Sequence, residues 1–305
     1  MNERDSASEA SGGWPSLPLD SWKGTCDTLH LYAQVVGKIR LALTPAEPEW
    51  AHVPLYVTAR GLTTSPIRAG ERVFQLDFDF VAHTLEVVVS DGGMRSIPLV
   101  PAKSVAAFYR AVMDALLEMR IDVRVWPMSV ETPKPVRLDE DSLDASYDPE
   151  SANRFWRALV LVDATLKEHR APFRRRHTPI QFFWGSFDLA YARFSGRPAA
   201  PPSQDVIVRH AMDAEEICAG FWPGDERFAE PAFWCYAFPK PDGIERMMVR
   251  PSAAFWSPEM GEFLLRYEDV RQSESPRAML LEFFSSTFEA CSKLAKWADV
   301  EPRWS

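Results

Sequence analysis

Cysteine is scarce and scattered: Cys26, Cys218, Cys235 and Cys291 are the only four in 305 residues, and no two form a C-x-x-C pair. That spacing supports neither a disulfide framework nor a structural zinc site, so four reduced thiols are expected. Glycine-rich phosphate loops are missing as well, since neither G-x-G-x-x-G nor G-x-x-x-x-G-K-[ST] occurs. No apolar run approaches the ~20 residues of a membrane-spanning helix. Excess positive charge is also lacking. The formal net charge is −9, which argues against nucleic acid or an anionic membrane surface as a main partner. One short basic run, Arg174, Arg175, Arg176 and His177, reads as a solvated loop. Residues 1–18 lack the apolar stretch of a signal peptide and read as a disordered tail. A soluble, cytoplasmic chain is expected.

What is present is a globular composition, 46% apolar and 25% charged, long enough for one large core or two smaller ones. Asp27 or Thr28 can cap a helix to about Ile39, with Leu29, Tyr32, Ala33 and Val36 on its buried face. Gly37 lies beside the polar line of that helix, where a missing side chain admits a close neighbour. Residues 53–58 and 62–67 flank a turn at Arg60-Gly61. Residues 73–80 alternate, with Phe74, Leu76, Phe78 and Phe80 on one face, and residues 85–90 and 94–99 return around Asp91-Gly92-Gly93. Ser104 caps a second helix to about Met119, and residues 121–126 read as a further strand. Residues 129–148 are acidic and carry Pro133 and Pro135, which suits a connector. Asp148-Pro149 opens a third helix. Short strands are expected at 205–210, 217–222, 232–238, 247–250 and 263–267, before a last helix starting at Ser275-Pro276.

The pattern predicts an α+β fold of antiparallel meanders flanked by helices, in two packed halves that each read helix, strands, helix. The expected divisions are a tail at 1–18, an N-terminal half at 19–128, a connector at 129–148 and a C-terminal half at 149–305. No residue pattern matches between the halves, so a pseudo-repeat would be one of architecture alone.

The densest chemistry lies in residues 179–197. Phe182, Phe183, Trp184, Phe187, Tyr191 and Phe194 surround Gly185, Ser186, Asp188, Arg193 and Arg197. Rings of this size require a core, and charges drawn in with them need partners. Strand, bend at Gly185 and strand is the expected course, a short helix capped by Ser186 the alternative. Asp188 paired with Arg193 or Arg197 is the structural explanation of the charges; a pocket wall is the functional one. Gly185-Ser186-Phe187-Asp188 departs from the G-x-S-x-G elbow at Asp188. A serine triad would need His30, His52 or His210 to arrive from elsewhere.

Other candidates are weaker. His30, Gln34 and Lys38 line one helix face and can read an anion or an amide, though a solvated polar face explains them too. Asp77 and Asp79 share a strand face and, with His83 or His52, can hold a hard divalent ion; alternation alone also puts them there. Trp222 and Trp234 can wall an apolar cavity or simply pack.

Thr28-Leu29-His30-Leu31, Gln34, Gly37-Lys38-Ile39-Arg40-Leu41, the segment 52–58 (HVPLYVT), Gly61-Leu62-Thr63-Thr64, and 182–190 (FFWGSFDLA) with 193–197 (RFSGR) together resemble an uncharacterised bacterial family, catalogued as a domain of unknown function. The resemblance runs from about Trp22 to Trp297. It implies one continuous unit and no established activity, and it supplies no catalytic residues. One departure is Gln181, where the family pattern has His, which removes a base from that position.

No cofactor is indicated, and whether the chain is an enzyme stays open. The expected function is small-molecule binding, or catalysis of which a hydrolase would be the first form to test, in a polar and aromatic pocket between the halves. The pocket candidates are His30, Gln34, Lys38, His52, Asp77, Asp79, Trp184, Ser186, Asp188, Arg193 and Arg197. The alternative is a non-catalytic module whose aromatic surface docks a protein, which would show a flat exposed apolar patch.

Overall fold

The computed structural model describes residues 13–297. Its helices are α1 (Leu19–Leu43), α2 (Val105–Glu118), α3 (Pro149–Arg170), α4 (Val206–Ala211), α5 (Tyr267–Arg271) and α6 (Pro276–Leu294). The N-terminal strands are β1 (Tyr56–Val57), β2 (Gly61–Thr63), β3 (Ile67–Ala69), β4 (Arg72–Asp79), β5 (Thr84–Val89) and β6 (Met94–Pro98). The C-terminal strands are β7 (Gln181–Phe183), β8 (Asp188–Pro198), β9 (Ala214–Trp222), β10 (Ala232–Phe238), β11 (Phe255–Ser257) and β12 (Glu262–Arg266). They form two antiparallel sheets, ordered β1-β2-β4-β5-β6 with β3 also on β4, and β11-β12-β10-β9-β8-β7. The chain is therefore α+β in two packed halves, each with a six-stranded antiparallel sheet.

Period-two alternation fixes the first sheet. Phe74, Leu76 and Phe78 of β4, with Leu85, Val87 and Val89 of β5, are buried against α1 and α2. Tyr32 of α1 stacks on Phe108 of α2 at 3.9 Å between centroids, and Phe78 lies 6.4 Å from the same ring. The second sheet differs because its central strands are covered on both faces. Leu189, Ile217, Phe221 and Phe233 face α3 and α6, while Ala190, Ala192, Cys218 and Trp234 are buried on the other side. Such strands read as nearly continuous apolar runs, as residues 217–222 and 232–238 do. The sheets join where Leu55 and Phe182 exchange backbone hydrogen bonds of 2.9 and 2.8 Å beside β1 and β7.

Several expectations change. Residues 1–12 of the expected tail lie outside the described residues, but residues 13–18 are packed: Leu17 is buried, Trp14 meets Phe233 and Tyr267, and the Tyr267 hydroxyl donates to Pro15 O (2.8 Å). Helix α1 begins at Leu19 and not at Asp27. Its Thr25 and Thr28 hydroxyls instead accept from the backbone N–H groups of Asp148 and Ser146, which pins the end of the expected connector to the helix. Leu138 in that segment is fully buried, so apolar packing overrides its acidic, prolyl composition. Residues 121–126 form no strand and have no ladder partner, and 247–250 likewise form no strand. Residues 206–211 are helical, because the Asp205 carboxylate caps the N–H groups of Ile207 and Val208. Ser104 and Asp148 cap α2 and α3 as the sequence predicts, and all four cysteines are free and buried. Among the described residues no helix is long and apolar enough to cross a membrane.

Candidate functional site

A cavity of about 730 Å³ lies over the second face of the C-terminal sheet, with lining from both halves of the chain. Its floor is made of small residues. Ala190 and Ala192 of β8 lie opposite Gly220 and Cys218 of β9, and Gly220 lies opposite Trp234 of β10. A Cβ at Gly220 would come within 2.4 Å of both the Trp234 ring and Leu189 O, so only glycine lets that indole lie flat there. Trp234 stacks on Tyr236 at 5.7 Å, and Phe183 of β7 completes this side.

The roof comes from the N-terminal half and from α4. Trp50 lies at the end of a 3-10 turn (Pro48–Trp50), and its Nε1 donates to Ile207 O of α4 (2.9 Å). The segment carrying Trp126, Val130 and Glu131 closes the rim. Gln34 of α1 fixes this segment, because its amide Oε1 accepts from Val130 N and its Nε2 donates to Val130 O, both at 2.8 Å. Glu131 follows with a left-handed φ of 53°, and its carboxylate packs where a Cβ at Gly185 would lie.

Four ionisable groups give the cavity its chemistry. Lys38 is 4% exposed, and its Nζ lies 5.5 Å from the centroid of the Trp126 ring and 5.6 Å from that of Trp184. Among the described residues no carboxylate pairs with it and nothing accepts a hydrogen bond from it. Burial pushes its pKa down to about 8. Asp188, the first residue of β8, is pushed up to about 7 by burial, against a hydrogen bond from the Ser186 hydroxyl and with Glu131 nearby. Glu216 of β9 is pushed up to about 8, again chiefly by burial. Glu131 is the fourth, at the exposed rim. Asp188 and Glu216 do not form a catalytic pair. Glu216 lies opposite Phe194, six residues along β8 from Asp188, or roughly 20 Å of strand. Two carboxyls flanking one scissile bond would need to be within ~10 Å.

Of the residues expected at a pocket, Lys38, Trp184, Ser186 and Asp188 line this cavity. His30 and Gln34 sit behind its wall, where His30 Nε2–H donates to Gly185 O (2.8 Å) and its ring stacks on Phe187. No triad forms around Ser186, whose partner is Asp188. His52 is buried beneath Trp50, and its Nδ1 accepts from Glu47 N (3.1 Å). Asp77 and Asp79 lie on the outer face of the first sheet, bonded to Gln75 and Arg60 respectively. Among the described residues no group of three His, Cys, Asp or Glu side chains is placed to hold a metal ion.

The expected pairing of Asp188 with Arg193 or Arg197 does not form. Odd and even positions of β8 point to opposite faces, so Arg193 projects away from Asp188. It lies against Phe288 and Phe173 at 4.2 and 5.0 Å and donates to His169 O. Arg197 lies at the exposed end of β8 and pairs with Glu215.

Trp50, Trp126, Glu131 and Glu216 were not singled out in the sequence. Glu216 carries a local signal, the second of two adjacent glutamates at the head of the apolar run 217–222. Trp50 and Trp126 sit in irregular segments, where periodicity is silent. Gln181 also lies in the cavity wall, 1% exposed, and neither atom of its amide has a hydrogen-bond partner among the described residues.

A model described as a family of unknown function (DUF5996) matches residues 14–302, and the chain belongs to that family. No curated protein and no solved structure matches it.

Proposed function

We propose that this member of the family binds an organic small molecule in the cavity between its halves. The observation that carries the reading is an aromatic-walled hollow of about 730 Å³ into which Lys38 and Asp188 project. Cavities of this size, mostly apolar with a few convergent polar groups, suit drug-sized ligands. Trp50, Trp184 and Trp234 offer flat faces, while Asp188, near neutrality, can donate or accept a hydrogen bond.

The same carboxyl favours a second reading, in which the bound molecule is also turned over. A group with a pKa of about 7 is matched to general acid–base work at physiological pH. A hydrolase using Asp188 to shuttle a proton is the form to test. The docking-module alternative draws less support, since the exposed Leu117, Leu143 and Met248 lie in separate segments and the exposed apolar residues that lie together, Trp126 and Val206, border the cavity itself.

Native mass spectrometry of the full chain, gently desolvated, tests the binding reading. A retained small molecule in the wild type and its loss in Ala192→Phe, which fills the floor, are the expected results. A screen of organic metabolites that raises Tm in both proteins alike, or in neither, would overturn it.

A further inference from the structure

Lys38 is the cavity's unresolved charge. Glu49 is paired with Arg176, Asp205 caps α4 and Asp188 takes the Ser186 hydroxyl. Lys38 has two indole faces and no anion. A largely buried ammonium with no anion beside it is costly, and cation–π contacts return only part of that cost. Conformations that spare the charge are restricted, because the stem rises from the middle of α1 beside Gly37 and points into the cavity wall. A ligand that brings an anion to this point recovers the missing interaction, and it does so where low polarity strengthens the pair.

We propose that the molecule bound here is a monocarboxylate on an apolar or aromatic skeleton, its carboxylate held by Lys38 between Trp126 and Trp184. This rests on the binding reading above and adds the ligand's chemical class. The lining limits the anion to a single charge. Lys38 is the only cation among the described lining residues, no arginine fork joins it, and the Glu131 and Asp205 carboxylates would repel a dianion such as a phosphate monoester. The skeleton then extends across the small-residue floor toward Trp234 and Tyr236, surfaces that ask for apolar area and not for further charge. Asp188 lies on the same floor, where its neutral form can donate to a ligand oxygen.

The test compares three head groups on two skeletons: 4-phenylbutyrate, 4-phenylbutanol and 4-phenylbutylamine, with decanoate, decanol and decylamine. Each is titrated calorimetrically into the full-length wild type and into Lys38→Met, which keeps the stem's bulk and removes the charge. Lys38→Gln serves if the Met variant does not fold. On at least one skeleton the carboxylate should bind about tenfold or more tightly than the alcohol, and the variant should erase that factor while leaving the alcohol's affinity within about twofold. An amine that binds tightest, or a carboxylate preference that survives in Lys38→Met, overturns the ligand class while leaving the cavity's binding role in place. Failure of all six probes to bind overturns the ligand class, and the binding reading is then decided separately by the retained-molecule and metabolite tests above.

Discussion

Gly37 of α1 and Trp184 interlock. A Cβ at position 37 would lie 2.2 Å from the indole, whose Nε1 donates to Val53 O at 2.9 Å. The helix is notched so that a ring from the other half can pass through its surface and reach the cavity.

Gly37→Ala weighs two opposed effects. In an exposed helix the change would stabilise by about 1 kcal/mol. Here the new methyl meets a rigid ring tethered at its far end, and overpacking costs ~1–3 kcal/mol or more. Net destabilisation of roughly 1–2 kcal/mol is expected in urea denaturation, with a shift in tryptophan emission as Trp184 moves. A more stable variant with unchanged emission would contradict the interlock.

Asp188→Asn and Glu216→Gln should flatten the stability–pH curve. Both carboxyls are raised in the folded chain, to about 7 and about 8, while unfolded Asp and Glu titrate near 4. Between those values the folded state holds more protons than the unfolded one, so stability falls as pH rises from about 4 to 8. Fixing the neutral form removes that loss. The double variant should exceed the wild type at pH 8 by several kcal/mol, with about 8 kcal/mol as the upper bound, and match it near pH 4. An Asp188→Asn variant weakened at every pH would instead indicate a charged partner.

Arg193 gives a contrasting prediction because it serves the core and not the cavity. Its guanidinium stacks on Phe173 and Phe288 and donates to His169 O. Arg193→Ala should cost about 3 kcal/mol, through lost packing and an unpaired carbonyl. Arg193→Met keeps the apolar contacts and should cost less. Neither change should alter the dissociation constant of any cavity ligand, measured by calorimetry on the folded fraction.

Gln34→Leu removes both bonds to Val130. Two backbone groups are left without partners, and about 2–4 kcal/mol should be lost. Amide exchange at Val130 should accelerate, and ligand affinity should fall with it, because Trp126 and Glu131 ride on that segment. Protection unchanged at Val130 would show that the segment is held by something else.

How legible this was depended on how local the signal is. Alternation in 73–80 places Phe74, Leu76 and Phe78 on the core face of β4, and Ser104 and Asp148 mark their helices because capping is a short-range effect. Strand, bend and strand around Gly185 likewise follow from nearby residues. Gly37 could be recognised as a point of close approach, but not that Trp184 would fill it, since the two are joined only by tertiary folding. The Asp188–Arg193 pairing fails for a reason that strand geometry contains: an odd offset in one strand separates faces. What hid it was not knowing that both faces of this sheet are buried. Trp50 and Trp126 enter the site from irregular stretches, so no periodicity could bring them to Lys38.

The floor of alanine and cysteine at positions 190, 192 and 218 has a consequence for what the fold can accommodate. The hollow is subtractive: backbone hydrogen bonding across β8, β9 and β10 is complete beneath it, and the room above comes from side chains left short. Depth can therefore be altered one methyl at a time, without disturbing a strand, and the same scaffold could be tailored to shorter or longer guests by substitutions at these few sites.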